Sequence, residues 1–127
     1  MTAVVYARQL NAAGDTFSVE AQITQCKDYA LQIGCRELEV FVDEGITGWT
    51  LDRPGLQGAL ARLQAGDVGY FIFSDLECLA KRLRDQMLLI KTIEELGVRV
   101  VSVRTPIPYP VSLICLPQEY VSSCKIN

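Results

Sequence analysis

The sequence predicts an α/β domain: a largely parallel sheet of about four or five strands with flanking helices on both faces, a three-layer arrangement. Two observations carry this. Short, continuous apolar runs alternate with stretches of helical period three times in about 100 residues. The runs are apolar throughout, as in strands buried on both faces, and do not alternate as half-exposed strands would. Connections of helix length between such strands give parallel pairing with right-handed crossovers.

The first run, Ala3 to Ala7, is short, apolar and β-branched, and reads as a strand. Ser18 is placed to cap the helix that follows, and Glu20 suits the positive end of its dipole. Val19, Ile23, Cys26, Ala30 and Ile33 recur at helical spacing, and Gly34 stands where that helix stops. Glu37 to Val42 reads as the second strand. A polar loop from Asp43 to Asp52 leads into a short helix that starts at Asp52 and Pro54, with Leu56, Leu60 and Leu63 inward. Ala65, Gly66 and Asp67 make a turn before the third strand, Val68 to Phe73.

A break at Ser74 and Asp75 precedes one longer helix, expected from about Leu79 to Leu96. Its apolar positions Leu83, Met87, Leu89, Ile90, Ile93 and Leu96 form a wide face, which either is fully buried or meets a partner in part. Gly97 ends it, and Val98 to Val103 is the fourth strand. Beyond Arg104 the character changes: Pro106, Pro108, Pro110 and Pro117 exclude helix, and Val111 to Leu116 reads as an added strand or an apolar flap. The expected division is therefore a domain over residues 1–104 and a proline-rich tail over 105–127.

Composition excludes several function classes. The 127 residues include no histidine, which removes Ser-His-Asp triads, Cys-His dyads and His-ligated metals. The five cysteines, Cys26, Cys35, Cys78, Cys115 and Cys124, contain no CxxC pair, so neither a zinc site nor a metal or other cofactor is expected. With a net charge of −3, DNA binding by this chain alone is expected to be weak or absent, because phosphate neutralisation supplies most non-specific affinity. No secretion signal and no apolar run of about 18 residues is present, which points to a soluble, reduced, cytoplasmic protein without a membrane partner.

In a parallel sheet, sites form beyond the carboxyl ends of the strands. That edge collects Arg8, Gln9 and Leu10, Asp43 and Glu44, Ser74 to Cys78, and Arg104. Elementary pairing has Arg8 meet Asp43 or Glu44 and Arg53 sit at a helix start; the alternative is that both hold an anion. Tyr70 reads as core, Trp49 as folded back on the domain, and Lys81, Arg82 and Arg84 as the one local basic cluster, on a solvated helix face.

Several motifs stand in a telling order: YAR at Tyr6 to Arg8, SVEAQ at Ser18 to Gln22, DEGITG at Asp43 to Gly48, LDRPGL at Leu51 to Leu56, AGDV at Ala65 to Val68, LRD at Leu83 to Asp85, and GVRVVSV. Together, over residues 3–104, the chain resembles the catalytic domain of the serine recombinases, the resolvase and invertase family. The resemblance implies a resolvase-like fold and a reaction in which a serine hydroxyl attacks a DNA phosphodiester while arginines stabilise the developing charge. It matches Arg8 to the arginine of Y-x-R-x-S, Arg53 to that of D-R-x-G, and Gln22 to a polar site residue, with Thr47 in place of a frequent serine. Arg8, Arg53 and Gln22 are the anion- or phosphate-binding candidates.

The same resemblance exposes departures. The nucleophile position holds Leu10, and the D-R-L-x-R signature reads Glu77, Cys78, Leu79, Ala80, Lys81. In the family a long dimerising helix and a DNA-binding domain follow the fourth strand, where this chain carries prolines. The expectation is a degenerate site (Arg8, Leu10, Arg53, Glu77, Cys78, Lys81) in a catalytically inactive domain. It would act as a binding, regulatory or structural subunit through self-association or contact with another protein. Two alternatives stand beside it. One is an active recombinase with an atypical nucleophile, Cys78 activated by Arg8 or Lys81 or, on a shifted alignment, Thr16 or Ser18. The other is a truncated remnant of a mobile-element recombinase.

Overall fold

A computed structural model describes residues 2–9, 18–45, 51–104 and 107. Four strands, β1 (Thr2–Gln9), β2 (Glu37–Glu44), β3 (Val68–Phe73) and β4 (Arg99–Ser102), form one sheet in the order β2-β1-β3-β4. Every pairing is parallel, with Val5 opposite Val40 on one side and Ile72 on the other. All eight residues of β1 are buried, as its apolar run requires of a central strand.

The pleat of β1 sorts its side chains onto two cores. Ala3 and Val5 meet Cys26, Ala30 and Cys35 on the side of helix α1 (Val19–Gln32). Val4 and Tyr6 meet Leu56, Leu60, Phe71, Phe73, Leu89, Ile90 and Ile93 on the side of helices α2 (Pro54–Leu63) and α4 (Leu83–Glu95). The result is the expected three-layer domain, with the strand ends gathered on one edge. Ser18 caps α1, its Oγ accepting from the Ala21 N–H at 3.1 Å. Gly34, at φ +88°, turns the chain out of that helix in the left-handed region where glycine carries no steric penalty.

Two expectations are corrected and one open alternative is decided. The single helix from Leu79 to Leu96 is two: a four-residue helix α3 (Leu76–Leu79) and α4, separated by Ala80 in extended conformation (φ −162°). Helix α2 is preceded by Arg53, which offers no side-chain cap. The capping carboxylate comes instead from Asp43, which accepts from the N–H groups of Gly55 at 2.7 Å and Leu56 at 2.9 Å. The wide face of the long helix is largely core: Leu88, Leu89, Ile90 and Ile93 are buried, and only its ends, Leu83 and Leu96, are exposed. Tyr70 is half-buried against the α1-side core. Leu10, Thr16, Thr47, Trp49, Cys115, Cys124 and all of 105–127 except Ile107 lie outside the described residues; Ile107 packs on the α2-side core. Among the described residues no helix is long and apolar enough to cross a membrane.

Candidate functional site

The C-terminal end of β1 is the centre of a buried polar cluster. Tyr6, on the α2 side, donates its hydroxyl to Asp43 Oδ2 at 2.6 Å. Arg53, fully buried, donates from Nη1 to the Tyr6 hydroxyl at 2.9 Å, and its guanidinium lies 5.7 Å from the Tyr6 ring centre. Burial drives the Tyr6 pKa upward against the pull of Arg53, and the bond to Asp43 adds to the rise, so the phenol stays protonated and keeps donating. A side chain as large and charged as Arg53 is tolerated here because hydrogen-bond acceptors meet it.

Arg8 continues the cluster. Its main chain is paired with the Gln22 amide of α1: Arg8 N–H donates to Gln22 Oε1 at 3.2 Å, and Gln22 Nε2 donates to Arg8 O at 2.9 Å. The Gln22 amide thus imitates a neighbouring strand and fixes the direction in which β1 leaves the sheet. In place of the expected pairing with Asp43 or Glu44, the Arg8 guanidinium donates from Nε to Cys78 O at 3.1 Å and from Nη2 to Glu77 O at 2.7 Å. Asp43 is engaged by Tyr6 and the start of α2.

Cys78 sits between these groups. Its Sγ lies 3.2 Å from Gln22 Oε1, to which the thiol donates. Burial pushes the thiol up to about 11, the opposite of the lowering that an Arg8- or Lys81-activated nucleophile needs. Lys81 is instead 3.6 Å from the Glu77 carboxylate, four residues earlier on the surface. Beside the cluster an open depression of about 390 Å³ is lined by Asp75, Leu76, Glu77 and Arg104, with Arg104 3.6 Å from Asp75.

The structure therefore brings Arg8, Gln22, Arg53 and Cys78 together, with the Glu77 carbonyl but not its carboxylate joining them. Sequence reasoning missed Tyr6 as a partner of Arg53 and Asp43 as the acceptor behind Tyr6. Their signal was present: Asp43 is the penultimate residue of β2, and Gly55 of the DRPG motif marks a close approach. A Cβ at Gly55 would stand 2.5 Å from Val42 O and 2.9 Å from Asp43 Cγ.

Residues 3–112 match the family model of the resolvase N-terminal domain. The chain belongs to the resolvase family. Among solved structures, this resolvase domain is similar to the N-terminal catalytic domain of TP901-1 integrase, at 23% identity and a TM-score of 0.77, covering 84% of this chain and 81% of that one. It is also similar to the C-terminal catalytic domain of ISC1926 TnpA, an IS607-like serine recombinase: 22% identity, TM-score 0.73, 86% of this chain and 71% of that one. A resolvase family site-specific recombinase from Streptococcus pneumoniae gives 17% identity and a TM-score of 0.70, covering 97% of this chain and 82% of that one. At these identities the likeness speaks to the fold, and the sheet order with its flanking helices agrees with it. A comparison with curated protein sequences finds no match.

Proposed function

We propose that this resolvase domain no longer cleaves DNA and serves as a binding or regulatory subunit through protein–protein contacts, either with a second copy or with another protein. The observation that carries the reading is the residue two places after Arg8. A serine there would form an oxygen–phosphorus bond while the leaving 3′ oxygen departs; Leu10 has neither a lone pair to attack nor a proton to give up. Supporting it, the signature arginines after the third strand are replaced by Cys78 and Lys81. The Cys78 thiol, the one nucleophile in the described cluster besides the Tyr6 phenol, is buried and held in its protonated form at neutral pH.

The magnitudes agree in direction. Losing one electrostatic donor from a transition-state site typically costs about 10²- to 10³-fold in rate, and losing a catalytic serine about 10⁶-fold. The test is incubation with supercoiled DNA carrying candidate crossover sites, followed by a denaturing gel. No covalent protein–DNA adduct is expected. An adduct that disappears in Cys78→Ala overturns the reading. Light scattering after size exclusion reads the partner: a monomer at all concentrations directs the proposal to a different protein.

A further inference from the structure

Helix α3 is so short that its last carbonyls have no helical N–H to accept from, and the extended Ala80 ends any continuation. Four successive carbonyls are taken up by side chains from elsewhere. Glu77 O accepts from Arg8 Nη2 at 2.7 Å. Cys78 O accepts from Arg8 Nε at 3.1 Å and from Arg53 Nη1 at 3.5 Å. Leu79 O accepts from Arg53 Nη2, and Ala80 O from Gln86 Nε2 at 2.9 Å. Two guanidinium groups thus converge on one row of carbonyl oxygens. Guanidinium forks recognise phosphate oxygens by the same geometry.

We propose that segment 77–80 is an autoinhibitory strap: its carbonyls hold Arg8 and Arg53 in the place of phosphate oxygens, so an anion reaches these arginines only by displacing the strap. The strap rests on the reading of a domain that does not cleave, and adds how its surviving cations are kept from nucleic-acid backbone. Three fastenings independent of the arginines hold it down. Asp75 Oδ1 accepts from Cys78 N–H at 3.0 Å, the Cys78 thiol donates to Gln22, and Gln86 holds Ala80. Arg8 is 7% exposed and Arg53 0%, so little of either guanidinium is open to a solute while the strap stands.

The test loosens the strap without touching the arginines. Wild type, Asp75→Ala/Gln86→Ala and the same double variant carrying Arg8→Gln are titrated with inorganic pyrophosphate by calorimetry. Wild type is expected to show no saturable binding. The loosened variant is expected to gain saturable binding, and the addition of Arg8→Gln is expected to abolish it. Amide exchange at residues 77–80 is expected to speed up in the loosened variant. Saturable wild-type binding that Arg8→Gln removes overturns the strap. So does a folded variant whose 77–80 amides exchange faster and which still binds nothing. If the double variant fails to fold, Gln86→Ala alone is judged by the same two readouts. A covalent DNA adduct overturns only the non-cleaving reading; the pyrophosphate titration still decides the strap.

Discussion

Helix α2 carries an arginine at each end, and the two live by opposite rules. Arg62, in its last turn, faces water and two carboxylates: Glu39 at 2.6 Å and Asp67 at 2.6 Å. The helix dipole favours a cation there, and the pairing lowers the Asp67 pKa. Arg53, before the first turn, sits where the dipole opposes a cation and is fully buried against a phenol and backbone carbonyls. The Asp43 carboxylate accepts from Tyr6 and from the first N–H groups of α2, so the phenol links it to Arg53. Favourable electrostatics marks the arginine that the fold can spare. Costly placement marks the one that holds three elements together.

The largest effect expected from this contrast is at Arg53. Arg53→Met removes the donor to Tyr6 and to the Cys78 and Leu79 carbonyls and leaves buried acceptors unmet. The expected loss is about 3 kcal/mol or more of unfolding free energy, read from urea denaturation. Arg53→Lys is expected to recover only part of it, because a single ammonium cannot span both a hydroxyl and two carbonyls. A stable Arg53→Met would break the comparison.

Next in size is Gly55→Ala. Its Cβ would meet Val42 O at 2.5 Å and Val42 C at 2.8 Å, backbone atoms of β2 that have no rotamer by which to move aside. Helix propensity alone favours alanine by about 1 kcal/mol. Overpacking against backbone wins, and a net loss of about 2 kcal/mol is expected by the same denaturation. The variant is also expected to lift the start of α2 off Asp43, so it reports on the capping bonds to Gly55 and Leu56.

How far all this was legible from the chain depends on where the information resides. The third strand was readable to the residue, Val68 to Phe73, because a buried parallel strand is an uninterrupted apolar run. The α3–α4 break was not. No glycine or proline lies between Leu76 and Leu96, and the helical period runs straight through. The interruption is tertiary: Arg8, Arg53 and Gln86 capture the carbonyls that a continuing helix would have used. The site divides in the same way. Arg8, Gln22, Arg53 and Cys78 could be gathered from motif order and strand ends. That Arg8 turns to carbonyls, and not to Asp43, depends on a four-residue helix that sequence could not delimit.

Buried thiols sharpen the comparison through pH. Burial raises Cys26 to about 12 and Cys78 to about 11, whereas in the unfolded chain each titrates near the ordinary value of about 8.5. Native protein therefore holds protons that the unfolded chain gives up. Stability is full below the unfolded value and is lost as pH rises toward the folded ones. Between pH 7 and pH 9 the two thiols together are expected to remove about 1.6 kcal/mol, measured as a falling urea midpoint. Cys26→Ala/Cys78→Ala is expected to flatten that fall, leaving the steeper part above pH 10 to which Tyr6 contributes.

The smallest effect is expected at the other end of α2. Arg62→Ala removes two short ion pairs, yet both partners are solvent-accessible, and water and salt replace what the guanidinium supplied. The urea midpoint is expected to move less than in any variant above, and the shift to shrink further at high salt, as screening requires of exposed charges. Arg53→Met should show no such salt dependence, because its acceptors are neutral and buried. Equal salt sensitivity in the two variants would mean that Arg53 is held by long-range charge after all, and that its carbonyl contacts count for little.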